Sequence, residues 1–175
     1  MAIQEGSLEA PTRHPIDWLN PDFYSVESAM KEMERVFDIC HGCRRCVSLC
    51  NAFPVLFDLV DESPTTEVNG VPKEKYWQVV DQCYLCDVCY MTKCPYVPPH
   101  PWNVDFPHLM LRGKAIQFKQ GTPTKFRDTN LSATDRNGKL ATIPVVVQFV
   151  NATAKMPVVR NIMESTLGVH KTAWL

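Results

Sequence analysis

Two runs of four cysteines decide how this chain folds: RVFDICHGCRRCVSLCNAFP at residues 35–54 and QVVDQCYLCDVCYMTKCPYVP at residues 78–98. The same order of residues occurs in both runs, because a valine and an aspartate precede the first cysteine and a proline follows the last. The matching pairs are Val36 with Val79, Asp38 with Asp81, and Pro54 with Pro98. An internal duplication of a helix followed by a cysteine loop is the simplest interpretation.

The cysteine spacing is typical of iron–sulfur clusters. A cubane has four irons that each need one thiolate, and in two-cluster proteins the last cysteine of a C-x2-C-x2-C-x3-C-P run binds the other cluster. Small variations are present, since four residues separate Cys89 from Cys94 and Asn51 follows Cys50. We therefore predict two [4Fe–4S] clusters as cofactors. The predicted ligands are Cys40, Cys43, Cys46 and Cys94 for the first cluster, and Cys83, Cys86, Cys89 and Cys50 for the second.

Zinc is the main alternative for these eight cysteines. Two four-cysteine zinc sites could use all of them, but structural zinc sites are usually built from C-x2-4-C pairs, which leaves the third cysteine of each run redundant. A disulfide framework is disfavoured, because cytosolic thiols are kept reduced.

Composition excludes several other classes of function. A formal net charge of -1 and a pI near 6.5 argue against a nucleic-acid-binding protein. The N-terminus lacks a secretory signal, and the most apolar stretch, IPVVVQFV at residues 143–150, is shorter than the roughly 20 residues of a membrane helix. We expect a cytoplasmic protein, with peripheral attachment to the cytoplasmic face of the inner membrane as an open alternative.

Hydrophobic periodicity predicts helices around both runs. Ser25 is a good N-cap, and apolar residues then recur at helical spacing: Val26, Ala29, Met30, Met33, Val36, Phe37 and Cys40. Pro72 suits the start of a second helix, in which Tyr76, Val79, Val80 and Cys83 form the stripe. Further helices are predicted at residues 55–60 and 107–119, the latter ending at Gly121. No strand-like alternation occurs, so the predicted fold is all-α.

The sequence divides into four predicted segments. Residues 1–24 form an extended N-terminal arm over the core, and residues 25–121 form the two-cluster domain. Residues 122–142 are polar and rich in turn residues, which indicates a linker. Residues 143–175 form a C-terminal helical tail, with helices at about 144–155 and 157–167 and Gly168 as a C-cap.

The predicted chemistry is electron transfer without catalysis. Four thiolates on each cluster leave no iron open to a substrate, and the chain has no G-x-G-x-x-G or P-loop motif. Arg44 and Arg45 in the first run and Asp87 in the second suggest that the first cluster has the higher potential. The segment PPHPWNVDFPHLM at residues 98–110, with His100 and His108, is interpreted as a lid that shields a cluster from water or docks a partner.

The two runs, together with KCPYVPPHPW and DFPHLMLR, resemble a known family. The chain is similar to the two-cluster domain of the heterodisulfide reductase HdrC family, and more closely to the N-terminal part of the C-type chain of anaerobic glycerol-3-phosphate dehydrogenase. The resemblance covers about residues 25–120, and extends more loosely through PVVRNIMESTLGVHK. It implies an α-helical ferredoxin domain around the two clusters, like that of succinate dehydrogenase iron–sulfur subunits.

The resemblance also implies partners. Electrons would pass from a flavoprotein dehydrogenase to a further iron–sulfur protein with CCG motifs, or to quinone. No cysteine follows Cys94, so the CCG repeats of the longer family members are missing from this chain. The chain is either a stand-alone electron carrier or the front portion of a longer protein. A subunit or fragment of a catalytic heterodisulfide reductase-like oxidoreductase and a zinc scaffold are the alternatives.

Overall fold

The protein, described by a computed structural model over residue 6 and residues 9–121 and 125–173, is built from helices. No β-strand occurs in these residues, which confirms the all-α prediction. Four short helical turns lie between the longer elements, at Pro21–Tyr24, Val68–Gly70, Lys73–Lys75 and, in π geometry, Cys89–Lys93. The α-helices are α1 Val26–Cys43, α2 Ala52–Asp61, α3 Tyr76–Gln82, α4 Phe106–Gln120, α5 Lys125–Ser132, α6 Thr134–Ala141, α7 Pro144–Thr153 and α8 Pro157–Leu167.

Helix α1 carries the first cysteines on its inner side. Its N-cap is Ser25, as predicted, and the Ser25 hydroxyl accepts a hydrogen bond of 3.3 Å from the Ser28 backbone N–H. The predicted stripe is buried from Ala29 to Phe37, whereas Val26 is exposed. The helix runs on through Cys40 and Cys43, and the left-handed residue Arg44 ends it. The first two cysteines are therefore held by regular helical backbone.

Helix α3, which precedes the second run, is shorter than predicted. Pro72 begins a 3-10 turn at Lys73–Lys75, and the α-helix starts only at Tyr76. It ends at Gln82, one residue before Cys83. The predicted start at Pro72 was therefore wrong, because this proline lies in an extended conformation, with ψ of 132°, ahead of a tighter turn.

The core of the first unit lies where α1, α2, α3 and α4 meet. Phe37 contacts Tyr76 edge to face, with ring centroids 5.1 Å apart, and Phe106 stacks on Phe53 at 4.7 Å. At Gly113 of α4, an added Cβ would lie 3.0 Å from side chains of α1 and α3, so glycine lets the helices approach closely. This shared core fixes both cysteine loops relative to each other.

The chain divides into two units, Met1–Gln120 and Gly121–Leu175. In the second unit, α5 and α6 occupy most of the segment predicted as a linker, which corrects that prediction; residues 122–124 lie outside the described part. Short polar helices need no buried face, and here the Asn137 side chain donates to the Asn130 carbonyl at 2.9 Å.

The two C-terminal helices agree with their predictions. Helix α8 has the predicted bounds, Gly168 follows it with a φ of 71°, and α7 ends two residues early, at Thr153. Among the described residues, none of the helices has the length and apolar character to cross a bilayer.

Candidate metal centre

Cysteines from both runs surround one apolar cavity in the first unit. Cys40 and Cys43 come from α1, Cys46 from the following turn, and Cys94 from the end of the second run. Their neighbours in the cavity wall are mostly apolar or aromatic: Ile39, Phe53, Phe57, Pro95, Tyr96 and Val104, with Arg45 as the charged exception. The structure thus brings together the four cysteines that the sequence assigned to the first cluster.

The predicted second set gathers around Cys83. This side chain is 8% exposed, and Cys50 and Cys86 are near enough to act on its ionisation. Cys89 lies between the two sets, because its thiol is influenced by Cys46 and Cys94 as well as by Cys83 and Cys50. The exchange of Cys50 and Cys94 between the runs is therefore compatible with their positions.

Burial controls the ionisation of these thiols. It raises the pKa of Cys40 well above its usual value, and neighbouring thiols, Cys94 first, raise it further. The pKa of Cys89 rises to about 12, again mainly because of burial. Thiols that resist ionisation in this way become thiolates when a metal cation binds, because the cation supplies the missing positive charge.

Backbone N–H groups also face the sulfurs. Burial raises the pKa of Cys94, and hydrogen bonds from the backbone N–H groups of Tyr96 and Val97 oppose that rise. A hydrogen bond from the Leu85 backbone N–H acts on Cys83 in the same way. Such donors stabilise a thiolate, and hydrogen bonds to the sulfurs are one of the means by which proteins tune iron–sulfur potentials.

Within the described residues, no three or more His, Cys, Asp or Glu side chains are grouped closely enough to bind one metal ion. Four thiolates that bind four different irons stand farther apart than four thiolates on a single ion. The cysteines are all free of disulfide bonds, which keeps eight thiols available as donors.

The predicted lid lies beside the first set of cysteines. The rings of Tyr96 and Trp102 are 4.6 Å apart, and the buried His100 contacts both at 5.3 Å. Burial raises the pKa of Tyr96, and Cys43, to which its hydroxyl is hydrogen-bonded, adds to the rise. His100 is not aimed at a metal, because its Nδ1 accepts the Trp102 backbone N–H at 3.1 Å.

Charged residues in the loops have partners that the sequence did not reveal. Arg44 forms a two-point ion pair with Asp61 of α2, and Asp87 forms one with Arg13 of the N-terminal arm. Arg45 lines the first cavity, and its charge lowers the pKa of Cys94. Arg13, Asp61 and Tyr96 are thus the functional candidates missed by sequence reasoning; only the match between opposite charges could have indicated the ion pairs.

Comparison with known proteins identifies a partial relative. Citrate utilization protein B of Escherichia coli is 29% identical over 79 residues, which is 45% of this chain. The matched region is 18% of that protein, so the chain spans less than a fifth of this curated relative. No family model matches the chain. No solved structure matches it either.

Proposed function

We propose that this chain is an electron-transfer module that carries single electrons through two [4Fe–4S] clusters. The observation that carries the proposal is the cavity where Cys40, Cys43 and Cys46 of the first run meet Cys94 of the second. The C-x2-C-x2-C-x3-C-P rule predicts this exchange of the last cysteine from sequence spacing alone. A fold that places the fourth thiol beside the other three agrees with the rule.

The donor set fits the group. Eight free thiols are available, four for each cluster, and apolar walls surround the first four. When bound, such a cluster supplies reversible one-electron transfer. The residues of the chain would hold the irons through thiolates, exclude water through Phe53 and Phe57, and adjust potential through N–H donors and Arg45.

A relay of this kind depends on other proteins for its chemistry. We infer a redox partner that is a flavoprotein dehydrogenase, an iron–sulfur protein with CCG motifs, or both, as the resemblance to the heterodisulfide reductase and anaerobic glycerol-3-phosphate dehydrogenase chains implies. A region that matches 18% of a longer relative suits a module within a larger redox system. A cytoplasmic location, with or without peripheral membrane attachment, is part of the same proposal.

Two alternatives are tested by the same preparation. A zinc scaffold would use the eight cysteines for structure, and a catalytic oxidoreductase subunit would turn over a substrate. Protein purified without oxygen should be brown and contain about eight iron and eight sulfide per chain, with an EPR signal after reduction. Stoichiometric zinc with little iron would reject the proposal, and substrate turnover by this chain alone would favour the catalytic alternative.

A further inference from the structure

We infer that Arg13 of the N-terminal arm is a positioning residue that holds the second cysteine loop, residues 83–94, in the conformation needed to bind its cluster. The role in cluster binding rests on the function proposed above, whereas the mechanical role does not. Arg13 lies 70 residues before Cys83 in sequence and outside both cysteine runs. It is therefore a site residue that no cysteine motif includes.

The guanidinium of Arg13 joins two carboxylates. It donates to both oxygens of Asp87 at 2.8 and 3.0 Å, and to both oxygens of Asp105 at 2.9 and 3.0 Å. The Arg13 side chain is 26% exposed, against 40% for Asp87 and 19% for Asp105. Two-point contacts of this kind fix orientation as well as distance, and only the planar fork of arginine can make two at once.

The position of Asp87 explains why such an anchor matters. Asp87 is the residue directly after Cys86, and its φ of 62° is unusual for a residue with a side chain. Leu85, directly before Cys86, also has a positive φ, of 56°. Because left-handed backbone on both sides of one cysteine is unfavourable, the surroundings must hold it in place. Arg13 supplies a side-chain contact that does so.

Further contacts attach the arm to the same part of the fold. The Arg13 guanidinium lies 4.2 Å from the ring centre of Tyr90, which belongs to the π-helical turn at Cys89–Lys93. The Tyr90 hydroxyl donates to the Thr12 carbonyl at 3.1 Å, and the Thr12 N–H donates to the Pro98 carbonyl at 2.9 Å. Residues 12 and 13 thus bridge the second loop, the segment after Cys94 and the start of α4.

Electrostatics gives Arg13 a second effect on a bound cluster. Loss of its charge would leave two carboxylates uncompensated beside the second loop. Added negative charge disfavours reduction of an iron–sulfur cluster. Arg13→Gln should therefore lower the potential of one cluster only, which a general loss of stability would not do.

The test compares hydrogen exchange of the anaerobically purified whole chain with that of Arg13→Gln. Amides of residues 84–92 should exchange about tenfold faster in the variant, because two charge-assisted contacts are lost, while amides of residues 41–49 should be unchanged. Arg13→Lys should fall between the two, since lysine keeps the charge but cannot hold both carboxylates. Arg35→Gln is the matched control, because Arg35 pairs with Glu32 on α1 away from the loop.

Two results would overturn the inference: unchanged exchange of residues 84–92 in Arg13→Gln, or equal acceleration in both cysteine loops. If Arg13→Gln does not fold, Asp87→Asn replaces it, with the same expectation for residues 84–92. The exchange measurement needs no cluster. A wild-type protein without iron would therefore reject the proposed function while the effect of Arg13 on the loop was still decided.

Discussion

Arg44 and Asp87 occupy the same position in the two cysteine loops, directly after the second cysteine, yet they carry opposite charges. Both residues are left-handed, with φ of 52° and 62°, and both form a two-point ion pair between an arginine and an aspartate. The first loop supplies the arginine and finds Asp61 in the following helix α2. The second loop supplies the aspartate and finds Arg13 in the distant N-terminal arm.

The comparison shows what the duplicated unit requires. A turn after the second cysteine needs an unusual backbone conformation, and each copy has acquired an ion pair at that turn. The local pair is the more exposed one, with side chains 42% and 51% exposed, whereas Arg13 is 26% exposed. We therefore expect the second loop to depend on a distant segment and the first loop to depend on its own neighbourhood.

Removal of one exchanged cysteine has the largest expected effect on this comparison. Cys50→Ala should lose the second cluster and keep the first, so that iron and sulfide fall by about half. Cys94→Ala should do the reverse. Iron and sulfide analysis, together with EPR of the reduced variants, distinguishes the two clusters.

If Cys50→Ala instead lost the cluster held by residues 40–46, each run would bind its own cluster and the exchanged ligand sets would be wrong. Val47→Ala is a control in the same run, because Val47 is exposed and is not a ligand.

Truncation of a shared aromatic residue should be the next most severe change. Phe53 is 2% exposed, lines the first cavity, and also lines a second cavity that Cys89 and Tyr90 border. Phe53→Ala should lower the free energy of unfolding by about 3–5 kcal/mol and weaken retention of both clusters. Denaturant unfolding and the rate of iron release measure the two effects.

Phe57→Ala is the matched control for Phe53→Ala. Phe57 is similarly buried, at 4%, but it borders only the first of these two cavities. A similar loss of stability with faster iron release from the first cluster alone is expected. Equal release from both clusters in Phe57→Ala would mean that the two cavities are not separately lined.

Substitution of the local ion pair should have a smaller effect. Arg44→Gln removes the contact with Asp61, which keeps the pKa of the Asp61 carboxyl below its usual value. Because both partners are exposed, the midpoint of thermal unfolding should change little, and less than in Arg13→Gln. Thermal unfolding of the two variants under identical conditions tests this order, and a larger shift for Arg44→Gln would reverse the comparison.

The smallest expected effect concerns redox potential. Arg45 lines the first cavity and its charge acts on Cys94, whereas the charge of Arg44 is compensated by Asp61. Arg45→Gln should lower the potential of the first cluster, and Arg44→Gln should leave it almost unchanged. Potentiometric titration followed by EPR measures both, and equal shifts would show that pairing with Asp61 does not matter.

These ion pairs also revise the sequence hypothesis that the first cluster has the higher potential. The hypothesis used the charges of Arg44, Arg45 and Asp87, but two of these three are compensated by Asp61 and Arg13. Only Arg45 still supports it. The expected difference between the two clusters is correspondingly smaller.

Sequence reasoning succeeded where the signal was local. The N-cap at Ser25, the bounds of α8 and the buried stripe of α1 follow from spacing and capping within a few residues. The position of Cys94 beside Cys40 could also be predicted, because the cysteine motif itself contains the exchange.

The remainder depended on contacts between distant residues. Arg13 pairs with Asp87 and Asp105 across 74 and 92 residues, and no periodicity connects such positions. Helices α5 and α6 were missed because their sequences lack an apolar stripe, which is the signal that predicts helices. The late start of α3 was missed because proline suits the first turn of either kind of helix.

The most direct test of the exchanged two-cluster arrangement is an iron anomalous-scattering map from crystals grown without oxygen. It should show two groups of about four irons each, one bounded by Cys40, Cys43, Cys46 and Cys94 and the other by Cys50, Cys83, Cys86 and Cys89. Signal at the zinc edge, or two groups each bounded by the cysteines of a single run, would contradict it.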